Sequence, residues 1–575
     1  MNERIGSSKA AIVSVSATIA VYSVCFFLYS PTWALNDDPV MAMCVSGKGF
    51  TYRPTEYLLY SNILLGIFLK TLYTAAPSVP WYGIYTIFTL CVSSTILLYV
   101  MLLQRYSLNR LLFFAVFFSV FGLYGFMHPQ FTFSAFMLAT AGVFLFIQRL
   151  EEGTARTMAS YPVSVACLCA ASLIRIDSML LALVLALPSL VMALRFRDRE
   201  RGDLMRAGYW AAVVVFFVLA ATAYDKYRHR SEEWRYTQGK HVAQVEMIDN
   251  NKMTEYSART KPIFDKLGWS LNDFFIMGRW FFADEDVMSY DRMSSFTMLI
   301  KSVPARRTLV HFALLLEDPK LYLSLFMIVL FCFRLSSGGR QRDLLSVLLT
   351  TIWGLCIMFY LGYFVRLPER IPACVLSFFS FAAIYRADSE ASTGPRRRLF
   401  FLRTAAAVLL GVVAVVWQVT ADRQWRREAA DFRQEVSATL LSKDQIYIIW
   451  GNGFPFDLMP IFDSFKMFSG RAVLSSAYDL KNPLSSEILK KFSVARFRDL
   501  VSNEKVCHIG KPVDMALYGR FIKEHYGIDA CFRIVAQTSS FLIFTQYAVT
   551  PEFEGALTTV KVPVDTFGYN IRILR

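Results

Sequence analysis

The chain has 575 residues, of which 55% are hydrophobic and only 18% charged, with 50 Phe, 28 Tyr and 10 Trp and a mean hydropathy of +0.40. That balance excludes a soluble globular protein and indicates an integral membrane protein. The formal net charge of +15 says less than its distribution, because Lys and Arg in short connections set orientation in the bilayer. Basic residues are not interleaved with aromatics as in a nucleic-acid surface, so no nucleic-acid partner is expected, and neither a Walker loop nor an internal repeat is present.

In chain order, apolar runs fall at 10–35, 81–103, 111–127, 131–148, 160–174, 178–194, 207–224, 319–335, 344–363, 371–386 and 400–420. Their lengths predict about 11 transmembrane helices, the shorter ones tilted. The first run is as long as a full span and lacks a small-residue cleavage site, so it is expected to stay as an anchor. Residues 160–194 divide at Arg175-Ile176-Asp177, and a split there into two spans keeps the arginine-rich connections on one side. With that alternation the N-terminus lies in the cytoplasm and the C-terminus outside, in the cytoplasmic (inner) membrane.

Two outer segments and one outer domain follow. Residues 36–80 form a first outer loop whose stretch Glu56 to Tyr73 reads as an interfacial helix. Residues 225–318 form a long outer loop in which Asp284-Glu285-Asp286 reads as a solvated face. Residues 421–575 read as a soluble α/β domain, with strands at 445–450 and 539–546 and a helix at 512–526. The expected fold is therefore an α-helical polytopic membrane domain, 1–420, with a C-terminal extracytoplasmic α/β domain, 421–575. Of the cysteines, Cys44, Cys507 and Cys531 fall outside the apolar runs; zinc-type spacing is absent, and Cys507 and Cys531 could pair if their domain lies outside the cytoplasm.

The residues that could carry chemistry collect on the outer side. Asn36-Asp37-Asp38-Pro39 directly follows the first span, and Lys48, Arg53 and Glu56 share its loop. His128 lies in the turn Met127-His128-Pro129, Arg175 and Asp177 at the next outer turn, and Arg366, Glu369 and Arg370 late in the chain. Taken alone, Asn-Asp-Asp-Pro is a polar turn, Arg175 a partner for Asp177, and Arg366 and Arg370 snorkelling anchors. Together, a carboxylate pair beside guanidiniums suits removal of a hydroxyl proton while a phosphate departs. A phosphate at an outer membrane face points to a lipid-linked donor.

The acidic pair after the first span, the segment Arg53-Pro54-Thr55-Glu56-Tyr57, the multi-span body, Arg366-Leu367-Pro368 and a C-terminal outer α/β domain resemble the GT-C superfamily of polytopic glycosyltransferases. The resemblance implies an inverting transfer of a sugar from a polyprenyl-phosphate carrier to a hydroxyl of a glycan or glycolipid acceptor, with the bilayer as surroundings. It implies Asp37 or Asp38 as general base, and Arg366, Arg370, Arg175 or Lys48 as ligands of the donor phosphate; Arg53, Glu56 and His128 would line the site. Some members place a divalent cation near the acidic residues; a third carboxylate is not evident in the sequence, so a cation at Asp37 and Asp38 is left open. An O-antigen-type polymerase or ligase, a transporter or flippase of lipid-linked sugars, and a scaffold whose outer domain binds a partner each fit part of the pattern.

Overall fold

The computed structural model describes residues 6–574 except 105–107, 153–159, 196–200, 250–252, 254, 303–314, 338–340, 365, 366, 369, 387–395, 452, 478, 479, 502, 565 and 566. Each apolar run falls largely on helix, the first leaving it after Leu28, and among the described residues seven helices are long and apolar enough to cross a membrane. The membrane-type helices are α1 Ser7–Leu28, α4 Trp81–Gln104, α5 Leu108–Phe117 continuing through a π-turn into α6 Leu123–Met127, α7 Phe131–Glu152, α8 Ser160–Arg195 and α9 Arg201–Arg228. Later in the chain come α14 Pro319–Ser337, α15 Gln341–Phe364, α16 Arg370–Arg386 and α17 Arg396–Ala421. Between α1 and α4 lie two shorter helices, α2 Asp37–Ser46 and α3 Ile63–Ala75.

The division expected near Arg175 is present. Arg175 leaves the helical region (φ −159°, ψ 109°) and breaks α8 in two. Tyr161, near the start of α8, and Leu190, near its end, pack in one apolar cluster with Leu150. A straight helix would hold them more than about 40 Å apart at 1.5 Å per residue, so the chain reverses at Arg175 and α8 is a hairpin. The bundle consequently has two ends. One carries Asp37, the hairpin tip at Arg175, and Arg370; the other carries Arg386, which pairs with Glu151 at 2.6 Å and Asp343 at 3.7 Å, together with Arg110 against Met101 O and Gln104.

The predicted interfacial segment is helical over Ile63–Ala75 and docks at the site end of the bundle. Asn62 caps it by accepting from Leu64 N–H and donates to Ala221 O, while Asp225 accepts from Ile63 N–H. Gly66 permits this docking: a Cβ there would stand 1.8 Å from the carbonyl oxygen of Glu56. Glu56 is occupied in holding the loop together, pairing with Lys70 at 2.6 Å and Arg228 at 2.7 Å.

The long loop after α9 contains α10 Glu232–Gln244, α11 Lys261–Leu267, α12 Leu271–Gly278 and α13 Tyr290–Leu299. After α17, α18 Arg423–Ala438 leads into a seven-stranded sheet with β1 Ile446–Ile449, β2 Ala472–Ser475, β3 Val506–Gly510, β4 Ala530–Gln537, β5 Leu542–Ala548, β6 Leu557–Val564 and β7 Phe567–Leu574. The helix α19 Pro512–Tyr526 follows β3. The strand order is β2-β1-β3-β5-β4-β7-β6; β2, β1 and β3 run parallel, and β5 joins β3 antiparallel. Period-two alternation divides the sheet's side chains between two cores. Tyr447, Ile449, Cys507 and Ile509 join the core that includes the membrane helices, whereas Ile446, Ile448 and Val506 join a core shared with Met247, Phe264, Phe281 and Phe296 of the long loop.

Two expectations change here. Asp284 is fully buried rather than solvated: it accepts from Asp286 N–H, Val287 N–H and Tyr526 O–H, and Glu285 accepts from Leu480 N–H. The acidic run therefore ties the loop to the sheet domain through charge-assisted hydrogen bonds. Cys507 and Cys531 are both buried free thiols; they sit on β3 and β4, and β5 lies between those strands.

Candidate active site

The first turn of α2 carries both aspartates, with Asn36 at its N-cap position. Successive helical residues point about 100° apart, so the two carboxylates face different surroundings. Asp37 opens into a cavity of about 410 Å³ together with Asn36, Tyr60, Arg175, His241, Asp249 and Arg370. Asp38 points into the bundle and is 0% exposed. Its Oδ1 accepts from Tyr82 O–H at 3.0 Å and from Phe131 N–H, the first residue of α7, at 3.1 Å. Its Oδ2 is buried without a hydrogen-bond partner among the described residues.

Electrostatics separate the pair further. Burial, with the charge of Asp37 next in weight, pushes the Asp38 carboxyl up to about 8, so it holds its proton at neutral pH. Burial also raises Asp37, but Arg370 and Arg175 oppose that rise. The Arg370 guanidinium is 3.9 Å from the Asp37 carboxylate, whose side chain remains one-third open (33%) to the cavity. Arg175 lies across the ring of Phe131 at 4.9 Å and near that of Tyr60 at 5.9 Å, and its Nη1 is buried without a hydrogen-bond acceptor among the described residues. Its Nε lies 3.8 Å from Asp177 Oδ2, the pairing the sequence allowed, so the guanidinium is partly engaged on that side while Nη1 is left for an anion in the cavity.

The roof of the cavity comes from the sheet domain and the long loop. Ile449 ends β1, Trp450 and Gly451 follow it, and Ser475 ends β2; in sheets with parallel strands, ligands gather at such ends. Asn36 bolts the floor to this roof, donating to Gly451 O at 3.3 Å and accepting from Asp457 N–H at 3.2 Å. Trp280, also in the roof, adopts φ +58°, a costly backbone state for a bulky side chain and one that recurs at functional sites. Ser476 fixes it by donating to Trp280 O and accepting from Gly451 N–H.

Of the residues expected at the site, Asp37, Arg175 and Arg370 meet in the cavity. Arg366 lies outside the described residues. Asp38 lies behind the cavity wall. Lys48 donates to Pro77 O and belongs to a different face, Arg53 is solvent-exposed opposite Glu487 at 4.0 Å, and Glu56 is committed to Lys70 and Arg228. His128 pairs with Asp422 at 3.0 Å and packs edge-on to Trp425, tying α6 to α18. These four side chains are absent from the cavity wall: Glu56 and His128 are claimed by close ion pairs, while Lys48 and Arg53 lie at the surface elsewhere. Conversely, His241 and Asp249 from the long loop and the Trp280–Trp450 roof complete the site. Burial lowers His241 despite Gln244, Asp37 and Asp249, leaving a neutral imidazole at neutral pH.

Asp249 brings a further carboxylate to the cavity and acts on Asp37. Asp37 also faces two guanidiniums, and Asp38 Oδ1 is taken by two donors. Among the described residues, Asp273, Glu524 and His525 form the one set of three ligand-type side chains with ligand atoms within 4.8 Å of one another; they belong to the loop–sheet contact.

A second cavity, about 470 Å³, meets the first at Leu59, Tyr60, Arg175 and His241. Its walls include Asp177, Asp225, His229 and Gln238, the stacked rings of Tyr57 and Trp234, and Val218, Ala221 and Thr222 of α9.

No protein-family model matches the chain, and no curated protein does. Among solved structures, the crystal structure of ArnT from Cupriavidus metallidurans bound to undecaprenyl phosphate is similar over 92% of this chain and 97% of that chain, with 10% identity and a TM-score of 0.39.

Proposed function

We propose that the chain is a GT-C-type inverting glycosyltransferase that moves a sugar from a polyprenyl-phosphate donor to an acceptor hydroxyl at the outer face of the cytoplasmic membrane. The observation that carries this reading is the Asp37 carboxylate 3.9 Å from the Arg370 guanidinium in a cavity that Arg175 also lines. Asp37 takes the proton from the acceptor hydroxyl; the oxygen bonds to the anomeric carbon as its bond to the phosphate oxygen breaks. The departing polyprenyl phosphate gains negative charge, which Arg370 and Arg175 stabilise through bidentate donors. Burial makes Asp37 a stronger base than a solvated carboxylate, and the guanidiniums of Arg370 and Arg175 oppose its protonation.

The second cavity suits entry of the lipid carrier. Its α9 wall adjoins side chains exposed on the bundle surface, such as Val215 at 57%, Phe216 at 74% and Leu219 at 65%, and its inner end is Arg175. Orientation follows the basic end of the bundle, where Arg110, Arg149 and Arg386 stand and which the positive-inside rule places in the cytoplasm. The site, the two outer segments and the sheet domain 421–575 then face outward.

The test uses purified protein in proteoliposomes with radiolabelled polyprenyl-phosphate sugars and candidate acceptor glycans. Asp37→Asn is expected to lose about 10²- to 10⁴-fold in transfer, the usual contribution of a positioned base, while Asp38→Asn keeps most of its activity. Undiminished transfer by Asp37→Asn overturns the assignment. Sugar crossing the bilayer without being transferred would favour the flippase reading instead.

A further inference from the structure

A third cavity, of about 500 Å³, lies away from Asp37 between α18 and the segment 459–467. That segment is fastened to the site end of the membrane helices. Ile461 N–H donates to Pro31 O, Thr32 forms a β-bridge with Pro460, and the carbonyl of Ile461 fits against Gly83 at the start of α4, where a Cβ would come within 2.2 Å. Phe462 packs beside Phe26 of α1, with centroids 5.8 Å apart, and remains 39% exposed. Next to it on α1, Phe27 is 89% and Leu28 70% exposed. These side chains mark where hydrocarbon gives way to headgroups, so the cavity opens at the rim of the bilayer.

Its lining is basic. Arg433 of α18 and Lys466 both border it and are exposed, and neither has a hydrogen-bond or ion-pair partner among the described residues. Arg471 completes the wall, held by Leu441 O and Ser469 O. The one acidic side chain there, Asp463, accepts from Phe465 N–H and attracts Lys48, Arg433 and Lys466, leaving positive charge in excess. Phe465 itself is buried in the left-handed region at φ +49°, and strain of that kind persists only where surrounding structure enforces it. On the apolar side Leu440, 89% exposed, projects from the loop after α18. A basic recess with an apolar lip at headgroup depth matches one kind of ligand.

We infer that this cavity binds the phosphate headgroup of an anionic phospholipid from the surrounding leaflet, with Arg433 and Lys466 contacting the phosphate and Phe462 and Leu440 lying against the acyl chains. Guanidinium and ammonium donors that make no internal hydrogen bond among the described residues supply the phosphate contacts, and polybasic sites at a bilayer edge favour anionic lipids. The proposal is independent of the chemistry at Asp37.

The test is lipid retention by full-length protein in nanodiscs of phosphatidylglycerol mixed with phosphatidylcholine, read by native mass spectrometry. Each cation near an anionic headgroup contributes about fivefold, so Arg433→Gln/Lys466→Gln is expected to reduce phosphatidylglycerol retention by about 25-fold. A charge-matched control, Lys505→Gln/Lys561→Gln, alters exposed side chains elsewhere and is expected to retain lipid as wild type does. Melting in pure phosphatidylcholine reports folding; if the double variant melts early, Lys466→Gln alone is read for its fivefold share. Equal loss in the control pair, unchanged retention in the Arg433/Lys466 variants, or complete displacement of the lipid by inorganic phosphate would each overturn the inference.

Discussion

Replacing Arg370 by Gln tests the coupling on which the proposed chemistry depends. The base works only when Asp37 is ionised, and burial alone favours its protonated form. A unit charge at 3.9 Å stabilises the carboxylate by about 1 kcal/mol if the cavity is water-like and about 4 kcal/mol at an effective dielectric of 20. At 1.36 kcal/mol per pH unit, removing that charge moves the acid limb of kcat/KM upward by about one to three units. The plateau is also expected to fall, by about 10²- to 10³-fold, as a donor to the departing phosphate is lost. Arg370→Lys separates the two effects: it keeps the charge, so the limb stays near wild type, but it loses the bidentate fork and lowers the plateau. The assay is initial-rate sugar transfer across pH in proteoliposomes with saturating and limiting donor. An acid limb that does not move in Arg370→Gln, or moves equally in Arg370→Lys, refutes the coupling.

Other outcomes follow from the same contacts. Asp38 binds a proton in the folded chain up to about pH 8 but only to about 3.8 when unfolded, so wild-type stability is expected to decline from near pH 4 and level off above 8. Asp38→Asn reproduces the neutral side chain; melting curves should show that slope flattened, and an unchanged slope would mean another group causes it. Gly66→Ala places a methyl against the Glu56 carbonyl and is expected to cost about 1 to 3 kcal/mol by overpacking, read as a lower melting temperature with α3 losing protection in hydrogen exchange. In the loop–sheet contact, burial lowers His525, but its hydrogen bonds to Asp273, at 2.9 and 3.0 Å, outweigh that and raise it. Its stabilisation is full below 6.5 and fades as pH rises through the raised value. Asp273→Asn should remove that dependence and cost about 1.5 to 3 kcal/mol, measured by thermal melting at pH 6 and pH 9.

Residues whose role is local were readable in the sequence. The apolar runs marked the helices, and the Arg175-Ile176-Asp177 interruption marked the hairpin because a guanidinium is too costly to leave in hydrocarbon. Asp37, Arg175 and Arg370 could be grouped because alternation of spans brings their turns to one end. The same reasoning gathered Lys48, Arg53, Glu56 and His128, since topology places residues on a face but cannot say which neighbour claims them: Glu56 met Lys70 and Arg228, His128 met Asp422. His241, Asp249, Trp280 and Trp450 went unnoticed because they reach the cavity only through packing between segments distant in the chain. One signal was available for the roof: glycine directly after the strand run QIYIIW marks a strand's carboxyl end. Asp284 misled for the opposite reason, an acidic run resembling a solvated face until its backbone and Tyr526 partners are seen.

The apolar core shared by the long loop and the sheet also dictates an order of assembly. Met247, Phe264, Phe281 and Phe296 are synthesised from 199 (446 − 247) to 150 (446 − 296) residues before β1, their first strand partner; at about 5 to 20 residues per second that is a wait of roughly 10 to 40 s. Four membrane-type helices, α14 to α17, are made in that interval. Throughout it the loop presents an uncovered hydrophobic face, which makes it the segment of this chain most in need of a chaperone during biogenesis. A chain truncated before Ile446 would carry that exposed face permanently and would be expected to aggregate or be degraded rather than persist as a roofless enzyme.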